Sequence, residues 1–256
     1  MTQADEMVSF WEHVDELRKT VIRILLIITI GMLCSFVFYQ QVFELLTYPF
    51  KEIQRTAEVD FDQPQQKENL IILSPSEGLM TALKTSFWVG LVATSPLWLF
   101  FLLQFIAPAL RSNERKMIFP FIFFSLLFLS FGVLFSYFLT IPIANKYLNA
   151  FNEGLGVNLW TLSNYLDYTV TLMLANALAF ELFVVLLFLV HYKWISADGM
   201  IAKRKVVLVS IFILSAILTP PDILTQFMLA FPLIGLYELT ILYAKATTDE
   251  RKVNRR

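Results

Sequence analysis

The sequence predicts an all-α membrane protein with six transmembrane helices. Of the 256 residues, 57% are hydrophobic and only 16% are charged, and the mean hydropathy is +0.64. Long apolar runs recur along the chain, and they are too many and too long for the core of a soluble protein. The only cysteine, Cys34, falls within the first run, which excludes an internal disulfide and a multi-cysteine metal site.

Six apolar runs give the predicted helices. Runs one to four are long enough to cross roughly 30 Å at about 1.5 Å per residue, whereas the fifth covers only about 20 Å. Helices five and six are therefore predicted to be short and to form a hairpin around the turn Thr219-Pro220-Pro221-Asp222. Acids precede the first run and no small-residue cleavage site follows it, which indicates a retained helix. The runs lie at about 21–39, 79–106, 117–143, 165–190, 206–218 and 223–243.

The lysines and arginines predict the orientation. If both termini are cytoplasmic, the inner segments hold 15 of the 20 basic residues. The outer segments then hold only Lys51, Arg55, Lys67 and Lys146, while Lys84 lies inside helix two. Because basic residues accumulate on the cytoplasmic side, both termini are predicted to be cytoplasmic.

The first outer segment, 40–78, has an organisation of its own. Apolar residues at helical spacing from Val42 to Ile53 predict an amphipathic helix at the membrane interface, and this stretch includes Pro49. The polar stretch from Glu58 to Glu68 reads as a loop. Ser74-Pro75-Ser76-Glu77 then matches a capping box with proline at the first helical position, so helix two is predicted to begin there.

Glu181 is a carboxyl group in the middle of the predicted fourth helix. Ala177 to Phe180 precede it and nine apolar residues, Leu182 to Val190, follow it. An ionised acid at this depth costs about 2.5 to 3.5 kcal/mol on insertion scales, so such residues usually face a polar cavity or a partner. Glu181 is therefore a candidate functional residue; the alternative is a protonated Glu181 bonded to a neighbouring helix. Asn176 adds a second polar group nearby.

Two predicted cytoplasmic segments place acids among basic residues. Glu16 and Arg18 lie before helix one, and Glu114 and Arg115 lie between helices two and three. One interpretation is that the acids form local surface ion pairs worth roughly 0 to 1 kcal/mol each. The other is a receptor for a cationic peptide, in which carboxylates meet planar guanidinium groups through paired hydrogen bonds. Composition alone favours the local ion pairs.

The sequence carries no motif of an enzyme. There is no GxSxG, HExxH or Walker A lysine, so neither catalytic residues nor a cofactor is expected. His13 and His191 lie in different predicted cytoplasmic segments, and the acids near His13 offer at most two or three ligands, so no metal site is predicted. No nucleic-acid partner is expected either.

Five stretches along the chain resemble the TatC family, the core subunit of twin-arginine protein translocases. They occur in the family's order, and the likeness covers nearly the whole chain. They are Glu12-His13-Val14-Asp15-Glu16-Leu17-Arg18, Leu73-Ser74-Pro75-Ser76-Glu77, Phe105-Ile106-Ala107-Pro108-Ala109-Leu110 with Glu114-Arg115, Phe180-Glu181, and Leu218-Thr219-Pro220-Pro221-Asp222 with Gln226.

The resemblance implies a single membrane domain, 1–256, with a cup-like arrangement of six helices in the bacterial cytoplasmic (inner) membrane. It also implies a receptor that binds twin-arginine signal peptides of folded precursors, recruits TatA- and TatB-type single-span subunits, self-associates, and supports transport driven by the proton gradient. By resemblance, the signal-binding residues are Glu16, Arg18, Phe105, Glu114 and Arg115. The intramembrane and partner-binding residues are Glu181, Thr219, Asp222 and Gln226, and Pro49 is structural.

Two other functions are compatible with parts of the sequence. A proton-coupled secondary transporter of a small solute would use Glu181, Asn176 and Lys84 as its relay, but no inverted repeat supports it. An intramembrane protease is disfavoured because Asp167 and Asp222 lie near opposite ends of their predicted helices. One departure from the family pattern bears on structure: Phe183 stands where a proline is common, which predicts a straighter fourth helix.

Overall fold

The chain forms nine α-helices in the part that the computed structural model describes. That part comprises residues 3–57, 70–107, 116, 118–152, 155, 159–219 and 222–253, with backbone alone at 3–10, 53–57 and 248–253. A five-residue π-helical turn joins α5 to α6. The helices are α1 (Gln3–Val37), α2 (Tyr39–Ala57), α3 (Glu77–Ala93), α4 (Ser95–Ile106), α5 (Ile118–Phe135), α6 (Ile141–Asn152), α7 (Leu162–His191), α8 (Ala197–Leu218) and α9 (Ile223–Val253), and the π-helical turn is Ser136–Thr140.

The predicted all-α membrane class is confirmed. Four helical segments are long and apolar enough to cross a membrane, and α3 with α4 makes a fifth if this bent pair is one span. Among the described residues the only β-type pairing is an isolated bridge between Ile71 and Thr161. The four segments are Trp11–Val37, Ile118–Asn152, Leu162–His191 and Ile223–Thr247.

Helix α1 packs against α3 and α4 in a first compact unit, 1–45 with 74–126. Its closest approach to α3 is at two glycines: a Cβ on Gly90 would lie 2.5 Å from the backbone nitrogen of Met32, and a Cβ on Gly31 would lie 2.9 Å from the carbonyl oxygen of Gly90. Backbones this close gain dispersion contacts that larger side chains prevent, and small residues serve the same purpose in other membrane helices.

The predicted second helix, 79–106, is instead two helices that meet at Thr94 and differ in direction by 58°. The reason is Pro96 in the first turn of α4, which lacks an N–H for the preceding turn. Side chains compensate at the bend: the Thr94 hydroxyl donates to the Gly90 carbonyl at 2.7 Å, and the Trp98 indole donates to the Leu91 carbonyl at 2.9 Å. After the bend, Phe101 of α4 lies against α1, with the Arg23 guanidinium 5.8 Å from its ring centroid.

The predicted capping box before helix two is half formed. The Ser74 backbone N–H donates to Glu77 Oε2 at 3.3 Å, as in a capping box. The Ser74 hydroxyl, however, shares a 3.2 Å hydrogen bond with the Ser76 hydroxyl and caps no helical N–H. Helix α3 therefore begins at Glu77, and Pro75 lies before the helix instead of in its first turn.

Helix α7 is the most enclosed helix of the second compact unit, 46–73 with 127–256. The Thr161 hydroxyl caps its N-terminus by accepting from the Asn164 N–H at 3.2 Å. Helix α5 crosses it at Gly132, where a Cβ would lie 2.7 Å from the Asn176 carbonyl oxygen and 2.8 Å from the Ala177 Cα. The predicted third helix, 117–143, continues through the π-helical turn to the end of α6 because polar residues after 143 do not stop a helix.

Helices α8 and α9 form a hairpin, but both are longer than predicted. Helix α8 has 22 residues and α9 has 31, because lysine, arginine, glutamate and alanine extend each helix beyond its apolar run. An apolar run marks only the part of a helix that is suited to hydrocarbon. The helix itself can extend beyond the run. The hairpin is joined by an ion pair of 2.7 Å between Arg204 and Glu238 and by the Tyr237 hydroxyl, which donates to the Met200 carbonyl at 2.9 Å.

The amphipathic helix predicted in the first outer segment is confirmed as α2. Leu46, Pro49 and Phe50 are buried, and the Phe50 ring packs against Trp160 and Tyr165 at centroid distances of 5.8 and 5.2 Å. The predicted loop Glu58–Glu68 lies outside the described residues, as do Pro220 and Pro221 of the predicted turn.

Replacing Gly90 with alanine should destabilise the first unit, because the added methyl group meets backbone that cannot rotate away. Overpacking of this kind costs about 1 to 3 kcal/mol. Thermal unfolding of the purified chain in detergent measures the effect. Gly78→Ala on the same helix is the matched control, since a Cβ there meets nothing within 4 Å. Equal melting temperatures for the two variants would contradict the proposed close contact.

Candidate functional site

Predicted site residues of the first unit meet where α1 and α4 pack. The His13 ring stacks on Phe105, with centroids 4.8 Å apart and planes 19° from parallel. On its other side, His13 Nδ1 lies 3.9 Å from Glu16 Oε2. Arg18 is exposed on α1, two residues beyond Glu16. We call His13, Glu16, Arg18 and Phe105 the rim cluster.

The carboxylate of Glu16 is open to solvent. Its side chain is 62% exposed and that of His13 is 54% exposed. A pair so exposed gains little from mutual attraction, because water screens the charges and the side chains lose freedom on pairing. The carboxylate therefore keeps its capacity to accept hydrogen bonds from an incoming cationic group.

Sequence reasoning treated His13 only as a weak metal ligand and missed its contact with Phe105. The sequence signal for this contact was limited to an aromatic residue in each of two distant segments. Whether these two segments meet depends on the direction of α4 after the bend at Thr94. Glu114 and Arg115, the other predicted members of this site, lie outside the described residues.

Glu181 lies on α7, half-buried, with its Oε2 atom shielded from solvent. Two aromatic contacts with α5 flank it: Phe180 with Phe135 at 5.9 Å and Phe183 with Phe128 at 4.9 Å between centroids. Helix α7 runs without a break from Leu162 to His191, as the absence of proline at 183 predicts. Glu181 thus lies in sequence between two residues of α7 whose rings pack on α5.

Asn176, the second polar residue of this helix, is fully buried. Its amide donates to the Leu172 carbonyl of the preceding turn at 2.9 Å, and its backbone lies beneath Gly132. This arrangement is typical of a packing position. Lys84, the third member of the transporter relay considered above, is exposed on α3 in the first unit.

Three further predicted site residues stabilise the turn between α8 and α9. Asp222 caps α9 by accepting from the Thr225 N–H at 2.7 Å and from the Thr225 hydroxyl at 2.5 Å. Gln226 donates across the hairpin to the Phe212 carbonyl at 3.1 Å. The Thr219 hydroxyl donates to the Ser215 carbonyl at 2.8 Å at the end of α8. We call Thr219, Asp222 and Gln226 the hairpin cluster.

The described side chains include no group of three or more histidine, cysteine, aspartate or glutamate residues that could hold a metal ion. What they do include is an exposed acid, Glu16, beside an aromatic pair and a half-buried acid, Glu181, in an apolar helix. The first can bind a cation at the surface, and the second can accept or donate a hydrogen bond inside the membrane.

Comparison with known proteins explains why these residues occur together. The sequence model of the family described as "Sec-independent protein translocase protein (TatC)" matches residues 12–232. The chain belongs to the TatC family. It is therefore a membrane-embedded component of a protein translocase.

Similar TatC proteins come from distant organisms. The chain is 36% identical over 242 residues to TatC of Helicobacter pylori strain J99, covering 94% of this chain and 91% of that protein. It is 34% identical to TatC of Aquifex aeolicus over 94% of this chain and 96% of that protein. A crystal structure described as the twin arginine translocase receptor TatC has the same fold: the TM-score is 0.76 at 33% identity, over 92% of this chain and 99% of that one.

Replacing Asp222 with alanine should loosen the TatC hairpin, because the first turn of α9 loses both hydrogen bonds to this carboxylate. Losing an N-terminal cap costs about 0.5 to 2 kcal/mol. Asp222→Asn is the matched control, since its amide oxygen still accepts from the Thr225 N–H. Thermal unfolding in detergent should rank wild type and Asp222→Asn above Asp222→Ala. Equal stability of the two variants would contradict the capping role.

Proposed function

We propose that this TatC protein is the receptor for twin-arginine signal peptides and that the rim cluster, with Glu114 and Arg115, binds the paired arginines. The observation that supports this most directly is the exposed Glu16 carboxylate beside the His13–Phe105 stack. A carboxylate accepts two parallel hydrogen bonds from a guanidinium group, which a lysine ammonium group cannot match. The aromatic pair offers a flat apolar surface for residues next to the arginines.

The proposed topology has six spans, with both termini in the cytoplasm of a bacterial inner membrane. The distribution of lysine and arginine supports it, as does the likeness to a solved TatC structure over nearly the whole chain. In this topology α8 is the fifth span, and its short apolar part thins the bilayer locally. The rim cluster then faces the cytoplasm, where precursors are made.

We further propose that Glu181 and the hairpin cluster receive the membrane helices of TatA- and TatB-type subunits. Glu181 is half-buried and lies in an apolar helix, a place where a polar residue of a partner helix would find a hydrogen-bonding group. The hydrogen bonds of the hairpin cluster are made mainly within the chain. We therefore expect this cluster to fix the shape of the docking surface more than to bind the partner helix directly. Transport of folded precursors is then driven by the proton gradient.

Replacing Glu16 with glutamine should weaken binding of a twin-arginine signal peptide about tenfold or more, because a charge-assisted pair contributes about 1.5 to 3 kcal/mol. Photo-crosslinking of a precursor to the chain in membranes, titrated with precursor, measures this. Glu114→Gln should behave in the same way.

Asp198→Asn is the matched control for Glu16→Gln. Asp198 is an exposed acid in the first turn of α8, within a segment assigned to the same side of the membrane, and it lies outside the proposed site. Crosslinking that falls equally in both variants would indicate a loss of general surface charge. Crosslinking that persists in Glu16→Gln would remove Glu16 from the receptor site.

Replacing Glu181 with glutamine should preserve more transport than replacing it with leucine, because glutamine keeps a hydrogen-bonding group at the same depth. Export of a twin-arginine precursor in a strain that lacks its own TatC measures transport. Crosslinking from position 182 to a TatA-type subunit measures docking. Equal transport by both variants would exclude a hydrogen bond from Glu181 to a partner.

A further inference from the structure

A group of buried polar side chains lies in the second unit, at the first two turns of α7. The Tyr165 hydroxyl donates to the Leu46 carbonyl of α2 at 3.3 Å. Asn145 of α6 and Thr169 of α7 lie beside the same hydroxyl. Helices α2, α6 and α7 thus place polar groups at one point. We call Asn145, Tyr165 and Thr169, with the Leu46 carbonyl, the junction site.

The junction site is closed to the outside. Tyr165 and Thr169 are 0% exposed and Asn145 is 3% exposed. Within the part of the chain that is described, Asn145 Nδ2 and Oδ1 and Thr169 Oγ1 have no partner in hydrogen-bond geometry. Asn145 and Thr169 approach the Tyr165 hydroxyl, but they do so without forming a well-aligned hydrogen bond to it. Unpaired groups in such a place are costly and rare in folded proteins.

The hydroxyl of Thr169 forms no hydrogen bond within its own helix, unlike the hydroxyls of Thr219 and Thr240. Thr219 and Thr240 are both buried, and each donates to a carbonyl four residues earlier, at 2.8 and 2.9 Å. Helical threonines commonly satisfy themselves in this way. Thr169 does not form this bond, so its hydroxyl can form a hydrogen bond with a bound molecule.

The π-helical turn that leads into α6 continues the pattern. Ser136 and Thr140 are each 0% exposed, and within the described residues neither hydroxyl has a hydrogen-bond partner. This turn packs on α7 and α9. Single π-helical turns inside α-helices often occur at functional sites, because they change which side chains face the neighbouring helix.

We propose that the junction site binds ordered water. Its side chains are neutral, so no group here compensates the charge of a metal ion or an anion. Their burial excludes a side chain from a partner protein. Asn145 supplies both a donor and an acceptor, and the hydroxyls can supply either, which suits a molecule that makes two to four hydrogen bonds of both kinds. Water bound here joins α2 to α6 and α7.

Hydroxyl-radical footprinting by X-ray radiolysis of water tests the proposal on the full chain in lipid nanodiscs. Radicals made from bound water modify buried side chains next to it. Tyr165 should be modified severalfold more than Tyr237, a tyrosine that is 5% exposed and donates to the Met200 carbonyl. Equal modification of the two tyrosines would overturn the proposal.

Substitutions at Thr169 separate a hydrated site from a dry one. Thr169→Val should reduce modification of Tyr165 and lower the melting temperature, because a hydrogen bond to water is lost. Thr169→Ser should retain the modification. A dry site predicts the opposite for valine: the melting temperature rises because an unpaired buried hydroxyl is removed. That rise, or unchanged modification of Tyr165 in Thr169→Val, would overturn the proposal.

Thr240→Val is the matched control for Thr169→Val. Thr240 is also 0% exposed, but its hydroxyl bonds within its own helix. Its replacement should leave modification of Tyr165 at the wild-type level, and a decrease equal to that of Thr169→Val would overturn the assignment of water to the junction site. Neither the modification of Tyr165 nor the melting temperature depends on signal-peptide binding. These experiments therefore test the junction site independently of the proposed function.

Discussion

A lipid bilayer offers no water to polar groups, and this constraint governs how the helices of this protein are built and packed. Several buried or partly buried hydroxyls and amides donate to a carbonyl of their own helix, as Thr94, Asn176, Thr219 and Thr240 do. Helices cannot associate by expelling water in hydrocarbon, so they rely on close backbone contact instead. The Gly31–Gly90 and Gly132–Asn176 contacts supply it in the two units.

Polar groups that break this rule are informative about function. The Glu16 carboxylate is exposed at a helix surface, Glu181 is half-buried in an apolar helix, and the junction site is sealed inside the second unit. Solvent stabilises the Glu16 carboxylate, whereas the surroundings that we propose for the other two are a partner helix at Glu181 and bound water at the junction site.

Polar residues in the hairpin of α8 and α9 stabilise the hairpin itself. Its Arg204–Glu238 pair is about two-fifths exposed at each side chain and therefore contributes little stability. The buried bond from Tyr237 to Met200 and the cap from Asp222 are shielded from water and contribute more per bond. Substitutions in the hairpin cluster that impair translocation can therefore act through the shape of the hairpin.

The sequence by itself determined the all-α membrane class, the amphipathic helix α2, the unbroken helix α7 and membership of the TatC family. These follow from apolar periodicity and from short motifs, which are local properties. The tertiary structure decided the stack of His13 on Phe105, the approach of Asn145 to Tyr165 and the hydrogen bond from Tyr165 to Leu46. Such contacts join residues far apart in the chain, and no local pattern specifies which side chains come together when helices pack.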